Sequence, residues 1–281
     1  MAYAITDTLA LPNSSVRIPR LGFGVYRSAQ CGESSQHALQ AGYRHIDTAQ
    51  FYRNEREVGE AIRQSGIPRA ELFVTTKIIS PAGSPEATYK KLCESVEQIA
   101  GEGPDSYVDL FLIHSSSSGP AGRKELWLAL EKLLAEGKTR SIGVSNYGVQ
   151  HIEEMKAYAT VWPPQVNQLE LHPWCQQRVI DAYCKRHGIV VEAYSPIVRN
   201  YKANDPTLVG LAQKYGKTTQ QILIRYALQK EWVPLPKSDD PARIAANAAI
   251  YDFNISSEDM AVLNALDQGP AGAIVEAVEN E

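Results

Sequence analysis

Cysteine is scarce in this chain, with four in 281 residues. They stand at Cys31, Cys93, Cys175 and Cys184, with no CxxC pair among them. Thiols so widely spaced read as free side chains in a reducing compartment, and a disulfide framework is not expected. The six histidines follow neither HxH nor HxxxH spacing, so no metal shell is expected either. Lysine and arginine nowhere cluster, and the formal net charge is -4. That argues against the basic footprint of a nucleic-acid binder. No apolar run approaches the roughly 20 residues of a membrane span. Met1 to Asp7 carries neither the basic nor the apolar region of a secretory signal. The expectation is a cytoplasmic protein with neither nucleic acid nor membrane as partner. No apolar surface stripe announces itself, so a monomer is expected.

What the chain does have is alternation. Residues 3 to 18 alternate weakly and break at Pro12 to Ser15, as a small hairpin would. Short apolar runs then alternate with helical stretches. The runs are Leu21–Tyr26, Tyr43–Asp47, Leu72–Lys77, Val108–His114, Ser141–Asn146, Gln165–Glu170, Ile189–Tyr194 and Trp232–Lys237. They are apolar nearly throughout, as strands covered on both faces should be. Eight such units predict an α/β fold of the (β/α)8 TIM-barrel type, with a short N-terminal β-hairpin ahead of it. One domain spanning 1–281 is expected, since no linker or composition shift divides the chain.

Several local signals refine this. Gly22 and Gly24 invite a dinucleotide-binding reading, but Arg27 follows and no third glycine opens a helix. Close packing of a barrel strand explains them better. No GxSxG elbow occurs. After Asp47, Asn54 is placed to cap a helix, with Glu57 three residues on completing a capping box. Val58, Ala61 and Ile62 form that helix's buried face. Ser115 to Gly122 reads as a Ser/Gly loop leading to a helix over Arg123–Ala135.

The strand ends carry the chemistry: Tyr26, Asp47, Lys77, His114, Ser145, Asn146, Gln168, Tyr194, Ser195, Lys237 and Ser238. In a barrel these positions converge on one mouth. With Tyr52 just beyond Asp47, they bring an acid, a phenol, an ammonium and an imidazole together. A phenol with a pKa of about 10 is a poor acid near neutrality. A neighbouring ammonium is expected to lower that value, and a buried carboxylate holds the ammonium in place. An imidazole nearby can orient a carbonyl oxygen by hydrogen bonding.

Seven segments in order resemble the aldo-keto reductase superfamily over nearly the whole chain. They are Gly42–Ala49 with Tyr52–Glu55, Val74–Lys77, Leu112–His114, Ile142–Asn146, Val166–Pro173, Ala193–Pro196 and Pro236–Ser238. The resemblance implies reduction of an aldehyde or ketone, with Tyr52 donating the proton. Lys77, paired with Asp47, would depress the pKa of Tyr52, and His114 would place the carbonyl oxygen. Ser145, Asn146 and Gln168 would hold a nicotinamide carboxamide, with Tyr194 stacked beneath the ring and Ser195 beside it. Lys237, Ser238 and Arg243 would grip a phosphate on the adenosine ribose, with Asn247 by the adenine. NADPH is the implied cofactor. Asp239 and Asp240 follow the cation, and Ala246 stands where the family often has Glu, so tolerance of NADH is expected too.

The substrate, a small-molecule carbonyl, would be walled by Tyr26, Ile79 and Ser115. Ile79 and the serine run 115–118 replace bulky aromatics of the family, which suggests room for a bulky ketone or diketone. The tail from Gln268 to Glu281 is expected to be loose and to leave the cleft open on its side. Two rival readings remain at this level: a nucleotide-binding regulatory subunit of the same fold, and an alcohol dehydrogenase working in the oxidative direction. The full set Asp47, Tyr52, Lys77 and His114 favours an enzyme over a pure binder.

Overall fold

The computed structural model describes residues 3–275 and 278. An antiparallel hairpin comes first, β1 (Thr8–Ala10) paired with β2 (Arg17–Pro19). Eight parallel strands then follow one another in sequence order around a single sheet. They are β3 (Phe23–Gly24), β4 (His45–Asp47), β5 (Phe73–Ile78), β6 (Leu110–Ile113), β7 (Ile142–Ser145), β8 (Val166–Glu170), β9 (Val190–Tyr194) and β10 (Val233–Leu235). Gly22 and Gly24 donate their N–H groups to the carbonyls of Pro234 and Pro236, both at 3.1 Å, and so bring the first barrel strand against the last. Glycine is required at this seam. A Cβ on Gly22 would lie 2.5 Å from Leu235 Cδ2, and one on Gly24 3.2 Å from the Leu235 carbonyl oxygen.

Helices α1 (Cys31–Gln40), α2 (Glu55–Gln64), α3 (Pro85–Ala100), α4 (Gly119–Ala135), α5 (Val149–Met155) and α6 (Arg178–Arg186) connect successive strands. A pair, α7 (Pro206–Tyr215) and α8 (Thr219–Gln229), joins β9 to β10, and α9 (Pro241–Ala248) and α10 (Ser257–Asn264) follow. Their starts have local causes. Ser84 accepts from Ala87 N with Pro85 at the first helical position, and Thr218 with Gln221 forms a capping box. Asn54 departs from this pattern. It precedes α2 without capping it. Its amide instead donates to the Val25 carbonyl at 3.0 Å and accepts from Thr48 Oγ1 at 2.6 Å. A partner across the barrel rim outcompetes the local cap.

Side chains alternate along each strand, one set turned outward to the helices and one inward. The outward set packs with Trp127, Leu130, Ile180, Ile222 and their neighbours in the larger apolar cluster. The inward set divides by height. At the base, Phe73, Leu110, Val166, Val190 and Val233 pack against Leu11, Val16 and Ile18 of the N-terminal segment, which closes the bottom of the barrel. Toward the top the buried interior turns polar, with His45, Asp47, Thr75, Lys77, Gln168 and Glu192. Apolar filling below and polar filling above place the chemistry at the strands' C-terminal rim.

Candidate active site

Tyr52 is delivered by a short 3-10 turn, Gln50–Tyr52, which Arg53 ends in the left-handed region at φ 58°. That turn follows Asp47 at the end of β4, so acid and phenol share one corner of the rim. Lys77 reaches up from β5 between them. Its Nζ lies 2.6 Å from Asp47 Oδ1, 2.9 Å from the Thr48 carbonyl and 3.4 Å from the Tyr52 hydroxyl. The ring of His114 stands edge-on to Tyr52 with centroids 5.6 Å apart, and Tyr26 packs on the other side at 4.9 Å.

The electrostatics differ from expectation in one respect. The Tyr52 phenol lies above its ordinary pKa, because burial outweighs the nearby Lys77 ammonium, which pulls the other way. The expected net depression is therefore overturned: the ammonium only reduces a rise set by desolvation. Burial also works against the Lys77 ammonium, yet Asp47 and Tyr52 overcome it and push its pKa up. His114 is pushed down to about 3 by burial and by Lys77, so its imidazole is neutral at ordinary pH. Its Nδ1 is buried without a partner.

These groups open onto a cleft of about 490 Å³. Tyr26, Asp47, Tyr52, Ile79, His114, Ser115, Ser145, Asn146, Gln168, Tyr194, Ser195 and Lys237 all line it, whereas Ser238, Arg243 and Asn247 do not. The latter three lie on the β10–α9 connection and on α9 itself. Ser145 Oγ donates to the Gln168 carbonyl at 2.9 Å, and Tyr194 donates to Asn146 Oδ1 at 3.0 Å. Asn146 and Ser195 both sit in the left-handed backbone region, at φ 57° and 51°. Strain of that kind gathers where side chains must be aimed. Gln168 donates from Nε2 to Asp47 Oδ2 at 2.9 Å and to Glu192 Oε2 at 2.7 Å. Both of its amide hydrogens are thereby used, and Oε1 has no hydrogen bond among the described residues. The model for the aldo/keto reductase family matches residues 28–268.

The chain belongs to the aldo/keto reductase family. Glyoxal reductase of Bacillus subtilis is 40% identical to it over 271 residues, covering 95% of this chain and 95% of that protein. An aldo-keto reductase from a Medee basin deep-sea metagenome library matches with a TM-score of 0.90 at 37% identity, over 98% of this chain and 99% of that one. The Bombyx mori aldo-keto reductase in complex with NADP matches with a TM-score of 0.87 at 30% identity, over 99% of this chain and 100% of that one.

This aldo/keto reductase departs from the sequence expectations at two further places. The serine run is an ordered 3-10 turn, Ser116–Ser118, and α4 begins at Gly119, four residues ahead of Arg123. The tail is docked where it is described. Glu170, at the end of β8 and fully buried, accepts from Ile274 N at 2.6 Å and Val275 N at 2.8 Å. Gly272 passes so close to the Trp174 carbonyl that a Cβ would lie 1.8 Å from its oxygen. Val275 consequently lines the cleft, so the described part of the tail forms part of its wall. The rest of the tail expectation falls on 276, 277 and 279–281, outside the described residues.

Several cleft residues escaped the sequence reasoning, Val275 among them. Phe51 lines the cleft beside the Tyr52 it precedes. Arg27 and Arg199 also line it, with their guanidiniums 5.2 Å and 5.8 Å from the Tyr26 ring centroid. Arg27 directly follows Tyr26 at a strand end, a signal that was there to use. Arg199 follows a left-handed Val198 at φ 51°, which nothing in the sequence announces.

Proposed function

We propose that the protein reduces an aldehyde or ketone to an alcohol with NADPH, and that Tyr52 is the general acid. The observation that carries this is the line Asp47–Lys77–Tyr52, buried beneath the cleft, with a neutral imidazole beside it. The residues present suit a nicotinamide dinucleotide. Gln168 offers an unused amide oxygen at the depth of the cleft. Arg27 and Arg199 give its wall the positive charge that a diphosphate group would meet. Tyr194 offers an aromatic face, and Ser145 and Asn146 stand beside Gln168.

When bound, the reduced nicotinamide supplies a hydride to the carbonyl carbon. The carbonyl oxygen then gains negative charge, and the Tyr52 hydroxyl gives it a proton. A phenol held protonated by burial suits this step, because an alkoxide is far more basic than a phenolate. Lys77 meets the charge left on the phenolate, and Asp47 keeps Lys77 aligned. A neutral His114 donates its one N–H toward the same oxygen. Charge is thus matched at each atom as it develops.

For the substrate, Phe51, Ile79 and Val275 supply apolar walls and Ser115 a polar one. An aldehyde or small dicarbonyl suits this cleft, in keeping with the relative named glyoxal reductase. NADH is a second cofactor, because Lys237 and Arg243 already face Asp239 and Asp240. The same site serves alcohol oxidation in reverse. The test is loss of reduced-nicotinamide absorbance with a panel of aldehydes, ketones and diketones. Turnover that stops in Tyr52→Phe while cofactor binding persists supports the reading; no turnover with any carbonyl would leave the chain a nucleotide binder.

A further inference from the structure

We propose that Glu192 is a positioning residue that sets which end of the Gln168 amide faces the cleft, and so makes the site select a carboxamide on the bound pyridine ring. The proposal rests on the nicotinamide placement given above and goes beyond it to a residue that touches neither cofactor nor substrate. A glutamine amide can present either its NH2 or its oxygen, and nothing in its own chain decides between them. Here the decision is made from beneath. Asp47 Oδ2 and Glu192 Oε2 flank Gln168 at 2.9 Å and 2.7 Å, and both are acceptors. Only the NH2 end can satisfy both. Turning the amide over would aim its oxygen at the Asp47 carboxylate, which is paired with Lys77, and lose the buried hydrogen bond to it.

Asp47 alone would not suffice, since it takes one of the two hydrogens and is already engaged by Lys77. Glu192 takes the second from the neighbouring strand, where the register sets it directly beside Gln168. It is wholly buried, and its other oxygen lies 3.6 Å from His45 Nε2. Burial, joined by the negative charge of Asp47, pushes the Glu192 carboxyl up to about 8. This upward shift favours the protonated acid, which keeps a carbonyl oxygen to accept from Gln168 and lessens the negative charge beside Asp47. The result is a lone amide oxygen turned up into the cleft, an acceptor for the N–H of a carboxamide.

The test is equilibrium binding, by protein fluorescence, of NADP+ and of its 3-acetylpyridine analogue, in which a methyl group replaces the amide nitrogen. The ratio of the two dissociation constants reads the N–H contact alone. The wild type is expected to favour NADP+ by roughly tenfold, the worth of one good hydrogen bond. Glu192→Leu removes the acceptor and should shrink that ratio by about threefold or more. Glu192→Gln, whose own amide oxygen can accept from Gln168, should keep it. If Glu192→Leu does not fold, Glu192→Val, smaller, suited to a strand and equally without an acceptor, carries the same expectation. Equal weakening of both ligands in the Leu or Val variant would make Glu192 merely structural and overturn the proposal, as would a wild-type ratio of one. An unchanged ratio in Gln168→Leu would remove the nicotinamide from this residue, and the cofactor placement itself would then be what failed.

Discussion

The ammonium of Lys237 lies 2.5 Å from Oδ2 of Asp239, two residues further on. Asp239 is itself fixed by Ser28 and Ser34, whose hydroxyls donate to Oδ1 at 2.5 Å and 2.9 Å. Burial opposes its charge, but Lys237 and the serines together hold the carboxyl below its usual pKa. Arg243 likewise faces Asp240, at 3.4 Å. Both cations that would meet a 2′-phosphate thus already have a carboxylate. Asp239→Asn should lower the Michaelis constant for NADPH several-fold relative to that for NADH. Steady-state kinetics with both cofactors checks this, and an unchanged ratio would place the phosphate elsewhere.

Removal of the phenolic hydroxyl tests the proton step. Tyr52→Phe should cut kcat by about a hundred- to ten-thousand-fold, the usual worth of a positioned general acid. Its dissociation constant for NADP+ should stay near that of the wild type, as fluorescence titration would reveal. A variant that keeps most of its turnover would point to another proton donor.

Glu170 ties the tail to the cleft wall. Glu170→Ala deletes the acceptor of two backbone N–H groups and frees Val275 from the cleft wall. Bulky ketones should become better substrates relative to small aldehydes, with the change expressed mainly in KM. The comparison to make is kcat/KM for a graded series of carbonyls. An identical size profile in wild type and variant would refute a gating role for the tail.

The buried acid and imidazoles predict the shape of the stability curve. The Glu192 carboxyl rises from 4.5 to about 8 on folding, so its contribution is fully present below about 4.5 and is lost as pH climbs through about 8. His45, like His114, moves the opposite way, from 6.5 to about 3 under burial, and stability is lost as pH falls through that window. Glu192→Gln should remove the alkaline loss and leave the acid one. Its Tm relative to wild type should therefore be higher at about pH 9 than at about pH 5. Parallel Tm curves would show that Glu192 does not change its ionisation on folding.

The legible features were those whose causes lie close along the chain or at strand ends. Ser84 caps α3 through Ala87, three residues away, so the signal is local. Asp47 and Lys77 both end strands, and barrel closure brings such ends together whatever the loops do. Asn54 misled because its amide is taken by Val25, 29 residues upstream. Val275 was invisible for the same reason: its N–H answers to Glu170, 105 residues away. The Tyr52 pKa was misjudged because the charge of Lys77 can be read from sequence, whereas the depth of burial opposing it cannot.

The hairpin cork at the base has a kinetic consequence. With Leu11, Val16 and Ile18 filling the lower end, the described residues leave the cleft to be entered from the strands' C-terminal rim. Two ligands that share one entrance must queue, so the deeper arrives first and departs last. A pyridine ring seated beneath the carbonyl would have the dinucleotide bind before the substrate and leave after the product.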